Sequence, residues 1–338
     1  FQEKSFDESS YAKLAADFLG TDHYHTVFTA ENVMELIPSI SEILDEPMAD
    51  PSLLPTYLLS KFARHRVTVA LSGDGNDELM AGYNTFQAHS LAGLYAKLPL
   101  FLKKTVAGAL RLIPAGEKNF SLEYSAKKFI DDFEGRPELR HHRWMASFSD
   151  SERPLLYTPK IREVINKEVA TDLLDEHLAD VPGISFENKI LYLYLKTYLP
   201  NDILVKTDRA SMKTALEVRC PFLDRRIVEF INSLPYGYKY RGLSGKYILK
   251  QLMKDKLPPS IINRPKKGFG IPLARWLKYE LRPLCEELLS PVVLRKQGIF
   301  DADMIERLKT EHYSGKKDRR KELWTLITFQ LWFNRWFK

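Results

Sequence analysis

"RVTVALSGDGNDELMAGY", residues 66–83, joins a short β-branched run to a loop that holds glycines and carboxylates. The run at 66–71 has the form of a strand that is covered on both faces in a parallel sheet. In open parallel sheets, ligands bind beyond the carboxyl ends of the strands, where backbone amides and helix starts converge. The stretch therefore predicts an α/β fold with a binding site in the loop at 72–78.

The loop behind this strand combines flexible backbone with negative charge. Gly73 and Gly75 let the backbone approach a ligand closely, whereas Asp74, Asp77 and Glu78 would repel a phosphate unless a cation were present. Because Mg²⁺ is commonly held by one or two carboxylates together with substrate phosphates, a metal-bound phosphate fits these residues. A solvated turn whose carboxylates cap the next helix explains them equally well.

The segments before this strand alternate between helix and strand patterns. Three of them are helical in period: 7–19, about 30–44 and about 55–65. Gly20 marks the end of the first helix, and the alternation at 23–29 predicts a strand. Strands that alternate with helices imply right-handed βαβ units and a parallel sheet.

Beyond Tyr83 the strand signal almost disappears and the sequence is mostly helical in period. We therefore predict a partial parallel α/β sheet at 1–83, followed by a mainly helical portion at 84–338. The aromatic residues of 323–337 recur at helical spacing, which favours a helix docked on the core over one at a membrane surface.

The segment 198–224 places charged residues among apolar ones. Charges in an apolar helix are costly unless they are paired. We therefore expect a buried ion-pair network formed by Arg209, Glu217, Arg219 and Asp224.

Two basic segments follow. "GLSGKYILK" (242–250) presents Lys246 between a glycine-containing loop and a helical run, and "RPKKGFGIP" (264–272) is a basic loop interrupted by glycine. Both placements suit a phosphate or a negative charge that develops during a reaction. An ordinary exposed lysine is the alternative for either.

Composition limits the class of protein. The 338 residues include 50 Lys and Arg against 44 Asp and Glu, which gives a net charge of +6 and a weak preference for anionic ligands. Cys220 and Cys285 match neither a disulfide framework nor a zinc motif, so we expect a cytoplasmic setting. His23 and His25 share the i,i+2 spacing of some metal sites, but no third ligand is evident. No run has the length of a membrane helix.

Five motifs in fixed order resemble the synthetase domain of glutamine-hydrolysing asparagine synthetase. They are "LDEPMADPS", "LSGDGNDE", "VKTDRASMKTALEVRCPFLD", "SGKYILK" and "RPKKGFGIP". The resemblance covers essentially all of 1–338. It implies an ATP pyrophosphatase fold with part of the nucleotide-binding sheet in 1–83 and substrate and phosphate contacts from 84–338.

The resemblance also implies a reaction, in which ATP activates the side-chain carboxylate of aspartate as an acyl-adenylate and ammonia then attacks it. It assigns roles to six residues: Ser72, Gly73 and Gly75 would contact ATP, Asp77 would bind Mg²⁺, Asp74 would assist the formation or amination of the adenylate, and Lys246 would stabilise charge on the intermediate and pyrophosphate.

Two family features do not occur in this sequence. The first is the Ser-Gly-Gly-x-Asp-Ser pyrophosphate loop, and the second is the cysteine-initiated glutaminase domain that supplies ammonia. We expect both upstream of Phe1 in a longer protein, and we expect this chain alone to bind ATP weakly and to form no adenylate. A homodimer is compatible with the resemblance.

Two other functions are compatible with the same sequence. A β-lactam synthetase-like cyclase or another carboxylate amidotransferase would share the fold and differ in its acceptor pocket. A non-catalytic module that binds polyanions or RNA would use the positive charge instead. RNA-binding surfaces usually interleave exposed aromatic and basic residues, and no stretch outside the C-terminal helix has this character, so nucleic acid is not the expected partner.

Overall fold

The computed structural model describes residues 1, 3–113, 116, 122–131, 133–165 and 172–337. Its described residues form two compact units, and each unit contains three segments of the chain. The first unit comprises Phe1–Thr29, Ser52–Lys97 and Val181–Phe269, and the second comprises Ala30–Pro51, Leu98–Asp180 and Gly270–Lys338. The division at residue 83, into a partial nucleotide-binding sheet and a mainly helical portion, stays a prediction.

The first unit contains a two-stranded parallel sheet, a short hairpin and a set of helices. Strand β1 (Val69–Leu71) pairs in parallel with β2 (Glu217–Arg219), and β3 (Tyr240–Arg241) pairs antiparallel with β4 (Ser244–Gly245). The helices are Ser9–Leu19, Leu53–Arg64, Asn76–Leu79, Asn84–Ala96, Phe186–Leu193, Val205–Met212, Arg225–Ser233, Tyr236–Lys239, Tyr247–Leu252 and Pro259–Ile262, with a π-helix at Tyr194–Leu204 and a 3₁₀ turn at Pro221–Leu223.

The parallel strand that follows the third helix is confirmed, but its environment differs from the prediction. Leu71 is 72% exposed and Val69 is also exposed, so β1 is not covered on both faces by described residues. The sequence also missed β2, whose three residues lie in a charged segment. The register pairs Ala70 with Val218.

The strand predicted at 23–29 is wrong. Residues 21–29 have no regular secondary structure, because a strand needs a hydrogen-bonding neighbour and β2 is the only described partner in the sheet of β1. The preceding helix is confirmed as Ser9–Leu19, and Gly20 ends it in the left-handed conformation, with φ 65°.

A long helical stretch of the first unit widens around a proline. Helix Phe186–Leu193 continues through the π-helix into Val205–Met212, and Pro200 lies within the π-helical part. Proline lacks an N–H group and disrupts the i→i−4 hydrogen bonds, which accounts for the wider turns. Helix Val205–Met212 packs against Leu53–Arg64.

The second unit is helical in its described part. Its helices are Ala30–Leu36, Ile40–Ile43, Leu100–Arg111, Leu122–Asp131, Pro137–Met145, Arg153–Leu156, Pro159–Ile165, Asp172–Ala179, Leu273–Lys278, Arg282–Leu288, Pro291–Gln297, Ala302–Tyr313 and Arg320–Trp336, with a 3₁₀ turn at Ile37–Ser39. The helices predicted at 30–44 and 55–65 are therefore confirmed in the second and first unit respectively.

The last helix of the second unit, Arg320–Trp336, is a core helix as the sequence predicted. It buries Leu323, Trp324 and Ile327 and packs on helices Ile40–Ile43, Arg282–Leu288 and Ala302–Tyr313. Within the described residues, no helix combines the length and apolar character required to cross a bilayer.

Candidate functional site

The loop after β1 continues directly from the parallel pairing. The N–H of Ser72 donates to the carbonyl oxygen of Arg219 at 2.8 Å, which fixes the loop to the end of β2. Gly75 has φ 86° and begins helix Asn76–Leu79. A Cβ atom at Gly75 would lie 2.2 Å from the side chain of Leu223, so both the backbone angle and the available space require glycine here.

Apolar packing holds the short helix of this loop in place. Leu79 and Met80 form a buried cluster with Ile231, and partly buried side chains surround it: Leu195, Phe222, Leu223, Val228, Ile248 and Leu249. This apolar cluster therefore holds the polar residues of the loop in place. By contrast, Gly73 is exposed and has open space around its Cα atom.

Asp74 is held by two hydroxyl groups. Ser72 donates from Oγ to Oδ2 of Asp74 at 2.7 Å, and Thr207 donates from Oγ1 to the same oxygen at 2.9 Å. The N–H of Asp74 donates back to Ser72 Oγ at 3.1 Å. Ser72 and Asp74, which the sequence placed in one site, therefore lie in contact.

Asp77 lies between two lysines. Lys246 Nζ is 2.9 Å from Oδ1 of Asp77, and Lys266 Nζ donates to Oδ2 at 2.8 Å. The three side chains are only 16%, 22% and 32% exposed for Asp77, Lys246 and Lys266 respectively. The structure thus brings two of the predicted residues together and adds Lys266, which lies in the predicted basic loop.

Burial and charge act in opposite directions on this cluster. Burial alone would raise the pKa of Asp77, but the two ammonium groups outweigh it and hold the pKa of Asp77 below its usual value. Burial lowers the pKa of Lys246, and repulsion from Lys266 adds to that effect, despite the attraction of Asp77. The carboxylate is therefore ionised at neutral pH and compensates the lysines.

Strained backbone brings Lys246 to Asp77. Ala81 and Lys246 both have positive φ, at 52° and 55°, a conformation that costs energy for residues other than glycine. The N–H of Lys246 donates to the carbonyl oxygen of Met80 at 2.8 Å. A Cβ atom at Gly245 would lie 2.0 Å from the carbonyl oxygen of Ala81, so glycine permits this close approach.

Behind Asp77, Glu78 is a buried carboxylate that receives a hydrogen bond from the hydroxyl of Tyr83. Burial raises the pKa of Glu78, although the hydrogen bond from Tyr83 opposes the shift. The ring of Tyr83 stacks on Tyr194 at 5.1 Å, and Lys266 Nζ lies 5.8 Å from its centroid. Tyr83 therefore contacts both the buried carboxylate of Glu78 and Lys266 of the basic loop.

A basic cleft of about 590 Å³ opens beside these residues. Among the described residues that line it, none is acidic and five are basic: Lys246, Lys250, Arg264, Lys266 and Lys267. Tyr83, Asn76 and Gln87 add polar groups to its wall. A cleft with this lining favours an anionic ligand.

The ion-pair network predicted for 198–224 is wrong. Glu217 and Arg219 pair with each other at 2.7 Å on the exposed surface of β2. Asp224 instead caps helix Arg225–Ser233 by accepting from the N–H of Arg226. Arg209 lies on helix Val205–Met212, 3.7 Å from Asp208, and its side chain is 47% exposed. The predicted charges therefore pair locally near solvent and form no buried network among the described residues.

Sequence reasoning also missed two residues that contact the predicted ones. Thr207 lies within the motif at 205–224, but nothing in the sequence singles it out there, because its contact to Asp74 spans 133 positions. Lys266 was part of a segment recognised as basic, but nothing in the sequence separates it from Lys267.

The oxygen atoms around Asp77 fit Mg²⁺. The contact of its Oδ1 with Lys246 is an ion pair without hydrogen-bond alignment, and Oδ1 of Asn76 is buried without a hydrogen-bond partner among the described residues. Both are oxygen ligands of the kind that Mg²⁺ accepts. No group of three or more His, Cys, Asp or Glu side chains converges within the described part of the chain. These residues therefore fit an ion that phosphate oxygens help to hold.

The loop, the two lysines and the basic cleft define a candidate site for an anionic ligand at the end of a parallel strand. The chain belongs to the asparagine synthase family, because the family model described as Asparagine synthase matches residues 1–334. The resemblance inferred from the five motifs is thereby confirmed.

Curated relatives agree with this assignment. Asparagine synthetase [glutamine-hydrolyzing] 1 of Bacillus subtilis is 29% identical over 336 residues, which cover 98% of this chain and 50% of that protein. A putative asparagine synthetase [glutamine-hydrolyzing] of Mycobacterium tuberculosis is 30% identical over 337 residues, which cover 98% of this chain and 49% of that protein. Amidase chry2 of Gibberella zeae is 23% identical, with 87% of this chain and 46% of that protein covered. The chain spans about half the length of the curated relatives it matches.

Proposed function

We propose that this chain is the synthetase part of a carbon-nitrogen ligase that uses ATP to amidate aspartate to asparagine through a β-aspartyl-adenylate. Its sheet and helices would belong to the ATP pyrophosphatase fold, and the ammonia would come from a glutaminase domain of the intact protein. Membership of the asparagine synthase family and the names of the curated relatives support this proposal.

One observation carries the proposal, which is the carboxylate of Asp77 between Lys246 and Lys266, two lysines that line the basic cleft. A triphosphate needs positive charge around its oxygens and a carboxylate for its metal ion. These three side chains supply both kinds of group, with the Nζ atom of each lysine within about 3 Å of the Asp77 carboxylate.

In the proposed complex the two lysines change partners. Asp77 would hold Mg²⁺, which when bound neutralises charge on the triphosphate and on the departing pyrophosphate. Lys246 and Lys266 would then turn from Asp77 to the phosphate oxygens of ATP bound in the cleft. Both lysines line the cleft wall, where the phosphates would bind.

The neighbouring loop would position the reacting groups. The N–H groups of Gly73 and Gly75 would contact the nucleotide, since glycines allow close approach. Those of Ser72 and Asp74 already donate within the protein. Asp74 is held at Oδ2 and would accept a proton from the attacking ammonia as a general base. Lys246 would stabilise the charge that develops as the adenylate forms.

The magnitude of the Lys246 contribution follows from its electrostatic role. The loss of one such contact typically costs about 3–4 kcal/mol, or about a hundred- to a thousandfold in rate. Lys246→Ala should therefore lower turnover far more than it weakens ATP binding. Equal losses in both would show that this lysine only binds the ground state.

The decisive experiment is aspartate- and Mg²⁺-dependent ATP–pyrophosphate exchange by the intact protein. We expect Asp77→Asn to abolish exchange and to leave glutamine hydrolysis intact, because the metal would lose its carboxylate. Asp17→Asn is a matched control, since Asp17 is an exposed surface residue paired with Lys13.

Two outcomes would contradict the proposal at different levels. Normal exchange by Asp77→Asn would remove Asp77 from the metal site. An unaltered protein that exchanges pyrophosphate with another carboxylate, but not with aspartate, would retain the fold and the adenylation chemistry while excluding aspartate as the substrate.

A further inference from the structure

Both hydrogen bonds that hold Asp74 arrive at one of its two carboxylate oxygens. Ser72 and Thr207 donate to Oδ2, at 2.7 Å and 2.9 Å. Oδ1 takes part in neither bond. The two donors therefore fix the rotation of the carboxylate and leave one oxygen available to accept a proton or a hydrogen bond from a ligand.

The two donors have different origins. Ser72 lies two positions before Asp74 and also accepts from the N–H of Asp74, so its bond fixes the carboxylate only relative to its own loop. Thr207 comes from helix Val205–Met212 and is separated from Asp74 by 133 positions. The bond from Thr207 is therefore the one that ties the carboxylate to a separate helix.

The helix that carries Thr207 is a firm support. Thr207 is only 9% exposed, and its neighbours Ala210 and Ser211 are buried. The helix packs against Leu53–Arg64 and contacts β2. Held on such a support, the hydroxyl has few alternative positions, which is the condition for a precise orientation of the group that it contacts.

We propose that Thr207 is a positioning residue that orients Asp74 for the chemical step. This inference rests on the proposed function, in which Asp74 acts on the adenylate or on the attacking ammonia. Thr207 would touch neither substrate nor nucleotide. Its effect reaches the reaction through the carboxylate of Asp74 alone.

The side chain of threonine allows a sharp test. Thr207→Val removes the hydroxyl and keeps the branched shape, whereas Thr207→Ser keeps the hydroxyl and removes the methyl group. A hydrogen bond to a charged group is worth about 10- to 100-fold in an equilibrium or a rate. We therefore expect Thr207→Val to lower kcat about 10- to 100-fold with KM for ATP within about threefold, and Thr207→Ser to restore kcat to near the parent value.

A double-mutant cycle shows whether Thr207 acts through Asp74. In the intact protein, Thr207→Val should lower the residual rate of Asp74→Asn much less than it lowers the rate of the parent. If the two substitutions lowered the rate by independent factors that multiply in the double variant, the inference would be overturned. A parent-like kcat for Thr207→Val, or equal losses in Thr207→Val and Thr207→Ser, would also overturn it.

The same cycle has a readout that does not depend on the reaction. The four proteins of the cycle can be compared by the midpoint of urea unfolding, where coupling is expected because the residues share a hydrogen bond. Additive midpoints would overturn the contact itself. Failure of the parent to support aspartate-dependent exchange would instead contradict the proposed function, so the two failures are distinguishable.

Discussion

Replacement of Gly82 with alanine would place a methyl group inside the contact between Asp77 and Lys246. A Cβ atom built at Gly82 lies 1.9 Å from Oδ1 of Asp77 and 2.4 Å from Cε of Lys246. Ordinary contact begins near 3.4 Å, so the carboxylate would have to move by roughly 1.5 Å. The substitution thus perturbs the candidate site without a change in any charged residue.

Two magnitudes follow from this geometry. Extra atoms in a packed region typically cost about 1–3 kcal/mol of stability. A displacement of about 1 Å in a positioned group can cost about a hundredfold in rate. We therefore expect Gly82→Ala to lower aspartate-dependent ATP–pyrophosphate exchange at least about a hundredfold, with a stability loss too small to unfold the protein.

Gly93→Ala provides the matched control. Gly93 lies within helix Asn84–Ala96, and a Cβ atom there meets nothing within 4 Å. Alanine in a helix interior is more stable than glycine by about 0.5–1 kcal/mol, so this control should keep its activity and unfold at a slightly higher temperature. Parent-like exchange by Gly82→Ala would refute the argument that the Asp77–Lys246 contact forms the site.

Two further predictions concern the second unit. His312 is buried, donates from Nε2 to the carbonyl oxygen of Ala274 and accepts the N–H of Arg319 at Nδ1. Burial lowers the pKa of His312 to about 4. Its contribution to the free energy of unfolding is therefore complete above the unfolded pKa of about 6.5 and is lost as the pH falls, by about 2 kcal/mol between pH 7 and pH 5. Urea unfolding of the parent and of His312→Gln at both pH values should show this loss only in the parent, and the same pH dependence in both would contradict it. Asp301 caps helix Ala302–Tyr313 by accepting a hydrogen bond from the N–H of Met304 at 2.8 Å. Asp301→Ala should therefore destabilise the protein by about 1 kcal/mol, whereas Asp301→Ser should not. Equal effects of the two substitutions on the calorimetric unfolding temperature would exclude the cap.

Elements with local signals could be predicted from the sequence. Helix Ser9–Leu19 has an amphipathic period and a glycine at its end, and the last helix has a regular apolar face. Strand β1 was found because its β-branched run is contiguous. At 23–29 the alternation was misleading, since side-chain pattern does not supply a hydrogen-bonding neighbour.

The candidate site was predictable only in part, because its contacts join distant segments. The glycines and carboxylates of the loop mark it directly, but the approach of Lys266 to Asp77 spans 189 positions. Ala81 and Lys246 adopt left-handed backbone that their side chains disfavour, and only the surrounding packing enforces it. Tertiary structure, not propensity, decides those positions.

The parallel pairing of β1 with β2 has a consequence for how the protein is made. Val69 pairs with Glu217, which lies 148 positions later in the chain. At about 5–20 residues per second of synthesis, the partner strand leaves the ribosome roughly 7–30 s after β1. During that interval Val69 and Leu71 form an unpaired apolar edge that a nascent chain must keep from other chains. The loop of Asp74 and Asp77 is therefore translated before the strand that anchors it, and the candidate site is completed only after Lys246 and Lys266 have also been synthesised.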